Sequence, residues 1–283
     1  MHKLQKFRAC GDAYLSASLI NNYINCPLQF YFSAVEGLSE EKEVQESVES
    51  DVFGTIYHAI MQQIYDRYKN KPVLPDTLNT IAQNDKYLTD LIEQAFAEYY
   101  FKQKEKRRTL TGHHYLIGEI LRDYVKQTLK FDTQFSPFEY VDSEHVFRSV
   151  HPVSGDLSVN MKGSIDRIDK LTNGLRIIDY KSGKGNLNFM SIEQLFDSSK
   201  NNRPYQILQV FIYALFYNKT LPVSPAIYYL RSIFTEHNPT ITFAGEPITD
   251  ISIYLTEFTA KLNDFLQEIF DSNIPFSQTK NEK

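Results

Sequence analysis

The sequence lacks tryptophan and has only two cysteines, Cys10 and Cys26, in 283 residues. Two thiols cannot build a disulfide framework or a four-thiolate metal site, so a reducing, cytoplasmic setting is the expectation. No apolar run approaches the ~18 residues that a membrane span needs, and the segment from Met1 to Lys6 lacks the apolar centre of a secretion signal. There is no Gly-x-x-x-x-Gly-Lys-Ser/Thr phosphate loop, so no motor is visible. Internal repeats, low-complexity tracts and Gly-, Pro- or Ser-rich linkers are also missing. Positive charge is in short supply: 30 Lys and Arg stand against 35 Asp and Glu, a net charge of −5. That argues against a protein that coats DNA non-specifically, but it does not exclude an enzyme that acts on nucleic acid, in which acidic metal ligands and a local basic track coexist under a negative total.

What is present is globular in kind. Hydrophobic residues make up 42% and charged residues 23%, unlike a disordered chain, and 19 Tyr with 20 Phe promise a ring-filled core. A helix capped by Ser16 or Ser18 stops near Cys26 and Pro27, and an acidic loop covers residues 36–49. Helical spacing recurs over Asp51–Tyr68, Leu88–Phe101 and Leu110–Phe131, with a basic run from Lys102 to Arg108. From about Phe138 the period changes. Tyr140–Val150, Leu157–Asp169 and Leu175–Lys181 read as strands, the last two joined by a hairpin turn at Thr172, Asn173 and Gly174. An apolar helix over Ile207–Tyr217, strands over Ala226–Phe234 and Thr240–Phe243, and a closing helix over Ile248–Phe270 complete the pattern. The expectation is a single domain over 1–283: a mainly helical part to residue 135, a sheet-bearing core over 136–271, and a polar, frayed tail over 272–283.

The charges that matter lie on two strands. Side chains alternate along a strand, so Leu175, Ile177, Asp179 and Lys181 share a face, and an apolar row ends in a carboxylate and an ammonium. A hairpin at Asn173 and Gly174 sets Asp166 and Asp179 at similar offsets from the turn, within about 5–8 Å of each other. Two like charges at that range repel unless neutralised, and a divalent cation bound through oxygen, Mg²⁺ or Mn²⁺, is the natural counter-charge. Lys181, about 6–7 Å along the strand from Asp179, can orient or deprotonate an attacking water.

The stretch from Gly163 through Asp166 to Asp169, followed by Ile177, Ile178, Asp179, Tyr180, Lys181, Ser182 and Gly183, resembles the nuclease domains of RecB- and AddB-type proteins in the PD-(D/E)XK superfamily. The resemblance extends from about Tyr14 to Lys283. It implies a mixed sheet flanked by helices, with the active site at the sheet's edge. It implies metal ligation by Asp166, Asp179, His58 and the Tyr180 carbonyl, and catalytic assistance from Lys181. Gln209 and Tyr213 match the family's Gln-x-x-x-Tyr element; Gln206 is expected to share their face. Glu144 is a weaker candidate for an accessory acid. Lys184, Lys200 and Arg203 are candidates for holding phosphates. Cys26 matches one ligand of an iron–sulfur cluster found in many relatives, but the other three cysteines are missing, so a cluster is expected only if the native chain continues past residue 283. The implied function is a Mg²⁺- or Mn²⁺-dependent DNA exonuclease in recombinational repair, associated with a helicase and with no membrane partner, in a chain that is itself a fragment of a larger helicase–nuclease protein. The competing readings are a catalytically silent nucleic-acid-binding module and a phosphodiesterase for another substrate.

Overall fold

The shift from helical to alternating spacing divides the chain. The computed structural model describes residues 2–38, 50–103, 108–199, 203–217, 220–235 and 238–279. First come α1 (Ala17–Asn25), α2 (Pro27–Phe30), α3 (Ser50–Tyr65), the short strand β1 (Pro72–Val73), α4 (Pro75–Gln83), α5 (Asp85–Ala95) and α6 (Gly112–Asp132). Then follow β2 (Phe138–Ser154), β3 (Leu157–Leu171), β4 (Gly174–Lys181), β5 (Asn188–Phe189), α7 (Ile192–Phe196), α8 (Tyr205–Tyr217), β6 (Val223–Tyr229), β7 (Thr242–Phe243), β8 (Glu246–Pro247) and α9 (Leu255–Phe270). No helix among the described residues is long and apolar enough to cross a membrane.

The main sheet runs β1-β2-β3-β4-β6, antiparallel except for the parallel pair β4/β6, and is therefore mixed, as the resemblance implies. Helices cover both faces. Leu175 and Ile177 of β4 pack into a core shared with α1, α8 and α9, whereas Ile178 and Tyr180 pack into a second core shared with α3, α5 and α6. Burial on both faces explains why the interior of β4 is so short of exposed positions. The β3–β4 turn is tight, with Leu171 paired to Gly174. A side chain at Gly174 would meet the Pro222 carbonyl oxygen at 2.4 Å, so only glycine fits there.

Beneath the sheet lies a dry layer of charge. Arg167 and Asp169 of β3, Arg176 of β4 and Asp132 at the end of α6 are each 2% exposed or less. Arg167 bonds Asp132 at 2.7 Å and Asp169 at 2.7 and 2.8 Å; Arg176 bonds Asp169 at 2.6 Å and Asp132 at 3.2 Å. The Tyr65 and Tyr228 hydroxyls donate to Asp132, and Arg167 donates to the Tyr180 hydroxyl at 2.9 Å. The guanidiniums of Arg167 and Arg176 also lie over the rings of Tyr65 and Phe135, at 3.9 and 4.1 Å. Two positive and two negative charges cancel, which is the condition for burying them at all.

Several segments depart from expectation. The strand expected over Ala226–Phe234 is β6, which starts at Val223 and gives way to a 3-10 turn over Leu230–Ser232. It tolerates Pro225 because it is the edge strand and Pro225 lacks its N–H on the side away from β4, where its carbonyl accepts from Ile241. The closing helix begins at Leu255, not Ile248, because the Asp250 side chain caps a 3-10 turn over Ile251–Tyr254. The spacing does not predict the short helices α4 and α7. The helix over Leu88–Phe101 starts three residues earlier, capped by Asn84, and widens into a π-turn over Phe96–Tyr100. The tail from Ser272 is not frayed as far as Thr279. Phe276 packs on Tyr23, Phe30 and Tyr31 at 5.3–6.1 Å, and Leu28 N–H donates to the Ser277 carbonyl at 3.2 Å. Most of the acidic loop and of the basic run lies outside the described residues.

The charge layer makes a measurable prediction. Asp132→Asn leaves a buried arginine short of a counter-charge and is expected to cost about 3–5 kcal/mol of stability. Breaking the exposed Lys170–Glu139 pair, 3.5 Å apart, is expected to cost under about 1 kcal/mol. Burial alone would raise the Asp132 carboxyl, but Arg167 and Arg176 hold it below its ordinary value. Its contribution is therefore present above the unfolded Asp value of about 4 and is lost as the pH falls further. Denaturant melts of both variants at neutral pH, and of the wild type down to acidic pH, test this; an Asp132→Asn protein as stable as the wild type contradicts it.

Candidate active site

The β3/β4 ladder pairs Arg167 with Ile178, so its register brings Asp166 level with Asp179 at the next position. The β2/β3 ladder pairs Ser143 with Arg167 and His145 with Ile165, which sets Glu144 opposite Asp166. Three carboxylates on three adjacent strands thus stand at one level. Glu144 has a left-handed backbone, φ 46°, unusual for a non-glycine residue inside a strand. The kink turns its side chain toward Ser164, which donates to it at 3.2 Å, and toward His58.

His58 comes from α3. Its Nδ1 lies 3.4 Å from Glu144 Oε1 and 3.7 Å from Asp166 Oδ1, and its Nε2 lies 3.2 Å from the Tyr180 carbonyl oxygen. Burial pulls the imidazole down, but Asp166 and Glu144 outweigh it and carry it up to about 9. The two carboxylates and the carbonyl thus favour a cation at this point, a proton on the imidazole or a metal ion that takes the proton's place. Ligand atoms of His58, Glu144 and Asp166 lie within 4.8 Å of one another.

Asp179 is fully buried and faces Lys181. The Lys181 Nζ donates to Oδ1 at 2.8 Å. It also lies 2.6 Å from Oδ2, but in an orientation that makes no hydrogen bond, and Oδ2 accepts none among the described residues. Burial opposes the ammonium charge, yet Asp179 and Asp166 hold Lys181 above the ordinary lysine range. Burial, with Asp179 adding to it, pushes Asp166 up to about 6 against the pull of His58. One Asp166 oxygen accepts the Tyr180 N–H at 2.7 Å. Buried acid oxygens that repel one another suit a divalent cation, and the donor set of carboxylates, a carbonyl and an imidazole is chemically able to hold one.

On α8, Gln209 Nε2 donates to the Tyr213 hydroxyl. Burial, then Asp179 and Asp166, raise the Tyr213 hydroxyl, so this helix faces the acids. Gln206, two turns before Tyr213 on the same helix, lies on its face as the spacing predicts, and both are buried, at 5% and 6% exposed. A pocket of about 470 Å³ opens over the site, lined on one wall by Gly54, His58 and Gln62 of α3 and on the other by Glu144, Lys181 and Ser182. Tyr99, from the π-turn, also lines it. Sequence reasoning misses Gln62 and Tyr99, although Gln62 is one helical turn beyond His58 and carries that signal.

Residues 14–281 match the PD-(D/E)XK nuclease superfamily. The chain belongs to that superfamily. It is 27% identical to a subunit of the ATP-dependent helicase/deoxyribonuclease of Staphylococcus epidermidis over 185 residues, which is 60% of this chain and 15% of the relative. It is 26% identical over 201 residues, 65% of this chain and 16% of the relative, to the protein of that name from Heliobacterium modesticaldum. The counterpart from Streptococcus uberis is 27% identical over 173 residues, 60% of this chain and 14% of the relative. The chain thus spans about 15% of the length of these curated relatives.

The basic candidates separate. Lys184 is exposed, past the end of β4. Lys200 lies outside the described residues. Arg203 is only 7% exposed, and its guanidinium is spent on the Leu195 carbonyl at 2.8 Å and Asn25 at 3.0 Å, so its expected phosphate contact is corrected to a structural one. Cys26 joins α1 to α2 beside the C-terminal segment, where Thr279 bonds the Asn25 carbonyl at 2.6 Å. Burial raises its thiol, but hydrogen bonds from Thr279, Gln29 and Leu28 bring it below the ordinary range.

Gly163 shows how tightly the site is packed. A side chain there would meet the Phe147 ring at 2.6 Å and the Tyr213 ring at 3.0 Å. Gly163→Ala is expected to displace Tyr213 and to cost about 1–3 kcal/mol of stability by overpacking. Thermal melts test this, and a Gly163→Ala protein with the wild-type melting point contradicts the packing described.

Proposed function

We propose that this chain is a divalent-metal-dependent deoxyribonuclease that hydrolyses phosphodiester bonds, working from DNA ends as an exonuclease. One observation carries the reading: three carboxylates level across adjacent strands, with the buried Asp179 followed two residues later by Lys181. Burying these charges is costly and serves no packing need, so a catalytic use is the economical explanation.

His58, Asp166, Asp179 and the Tyr180 carbonyl would hold the metal, with Glu144 completing the set. A bound divalent ion supplies Lewis-acid polarisation of the phosphate and lowers the pKa of a water. The protein's own groups do the rest. Lys181, held protonated by its acid neighbours, stabilises the charge that develops on the phosphate and orients the water; its raised affinity for a proton argues against a role as base. Gln209 and Tyr213 orient the substrate from α8, and Lys184 holds a phosphate beyond the strand end. An imidazole in the donor set suits Mn²⁺ at least as well as Mg²⁺.

The names of the curated relatives support a nuclease unit working with a helicase on DNA; recombinational repair in the cytoplasm is the setting we propose for it. Cys26 as a cluster ligand belongs to this proposal only for a chain that carries further cysteines past residue 283.

Cleavage of end-labelled linear single- and double-stranded DNA tests the centre. Wild type is expected to cut with Mg²⁺ and with Mn²⁺ and to stop in EDTA, with Mn²⁺ effective at the lower concentration. Asp179→Ala and Lys181→Ala are expected to lose about 100-fold or more in rate, with unchanged far-UV circular dichroism. Cutting that survives EDTA, or an Asp179→Ala enzyme of full activity, removes the proposed site.

A further inference from the structure

A second groove lies near the catalytic pocket, between the end of α4, the outer face of α6 and the turn after β6. Its cavity is about 300 Å³, lined by Gln83, Lys126, Gln127, Lys130 and Phe234, with Asp123 at its wall. Phe234 is 57% exposed, and its ring leans on Tyr124 with centroids 5.2 Å apart. Tyr124 in turn meets Phe53 edge-on at 5.9 Å, and Phe53 is the neighbour of Gly54, which lines the catalytic pocket. These two contacts put Phe234 within about 11 Å of Phe53. The link also runs through the sheet: Tyr229 is paired with Lys181, and the 3-10 turn Leu230–Ser232 leads directly from it to Phe234.

We infer that this groove binds single-stranded DNA, one base stacking on Phe234 and the adjoining phosphates meeting Lys126 and Lys130. The chemistry favours a nucleic-acid strand over a protein segment. An exposed ring offers a base a flat partner whatever its identity, and cations beside it are what a phosphodiester backbone needs. Lys130 makes no ion pair among the described residues. Lys126 is shared with Asp85 at 2.5 Å, a half-exposed pair that a phosphate can enter at small cost. Asp123, with no such partner among the described residues, confines the backbone to the lysine side of the groove. The ring, rigidly backed by Tyr124, loses little freedom on stacking. As an extension of the nuclease proposal, which it rests on for its substrate, the site guides the strand toward or away from the catalytic pocket.

The test is fluorescence anisotropy with a labelled oligo(dT) of about 12 nucleotides, within the usual range for such grooves, in EDTA so that no cutting occurs. Phe234→Ala is expected to weaken binding about 5- to 100-fold, and Phe234→Trp to restore it. Lys130→Ala is expected to flatten the dependence of log affinity on log salt by about 0.7. Phe234 is exposed, so the variants are expected to keep the wild-type melting temperature. Equal affinity of wild type and Phe234→Ala overturns the site, as does a wild type that binds no oligo(dT) at low salt. Tighter binding of oligo(U) overturns the DNA assignment in favour of RNA. Mn²⁺-dependent cleavage is followed separately: a wild type that binds through Phe234 but does not cut defeats the nuclease proposal and leaves the stacking groove standing.

Discussion

The structure depends on burying four charges between the sheet and α6. Arg167, Arg176, Asp132 and Asp169 tolerate loss of water only because each guanidinium reaches both carboxylates, the Tyr65 and Tyr228 hydroxyls donate to Asp132, and the Tyr180 hydroxyl accepts from Arg167. Such a layer is demanding about geometry. A slip of one residue in β3 against β4 would turn Arg167 and Asp169 out of it and leave Arg176 with Asp132 alone. The same register sets Asp166 level with Asp179. Tyr180 ties the two together: its hydroxyl meets Arg167 in the dry layer, and its backbone N–H meets Asp166.

The acidic row at the sheet's edge carries the opposite electrical problem. There the acids outnumber what neutralises them. Glu144, Asp166 and Asp179 are answered, among the described residues, by His58 and Lys181 alone, and burial, with Asp179 adding to it, holds Asp166 at a raised pKa. Balanced charge beneath the sheet stabilises the fold, whereas unbalanced charge at its edge stores an appetite for cations. The close packing of Phe147 and Tyr213 over Gly163 holds the acids in place. Helix α3, free of bulk at Gly54, leaves the opening above them.

Much of the site was legible from local pattern. Alternation along Leu175–Lys181 placed Asp179 and Lys181 on one face, and the turn at Asn173 and Gly174 implied the juxtaposition of Asp166 with Asp179 that lies one position past the last pair of the ladder. Both inferences need only strand periodicity and a two-residue turn. Helical spacing likewise put Gln206, Gln209 and Tyr213 on one face of α8, where Gln206 and Tyr213 are buried. Arg203 failed because a positive charge says nothing about whether a loop folds over it; Asn25 and the Leu195 carbonyl were there to receive it. The tail read as frayed because its polarity was visible and the ring pocket for Phe276 was not.

The sequence alone determined the change of period near Phe138, the hairpin that carries the acids, and the placement of Asp179 beside Lys181 on one strand face, because each depends on neighbours within a few residues. The tertiary structure alone decided that His58 and Glu144, 86 positions apart, would meet at Asp166. It also decided that Asp179 would be dry, that two arginines would be internal, and that Phe234 would stand exposed beside lysines of α6. Those outcomes turn on which faces of distant elements pack together, and local spacing fixes the faces of an element without choosing its partner.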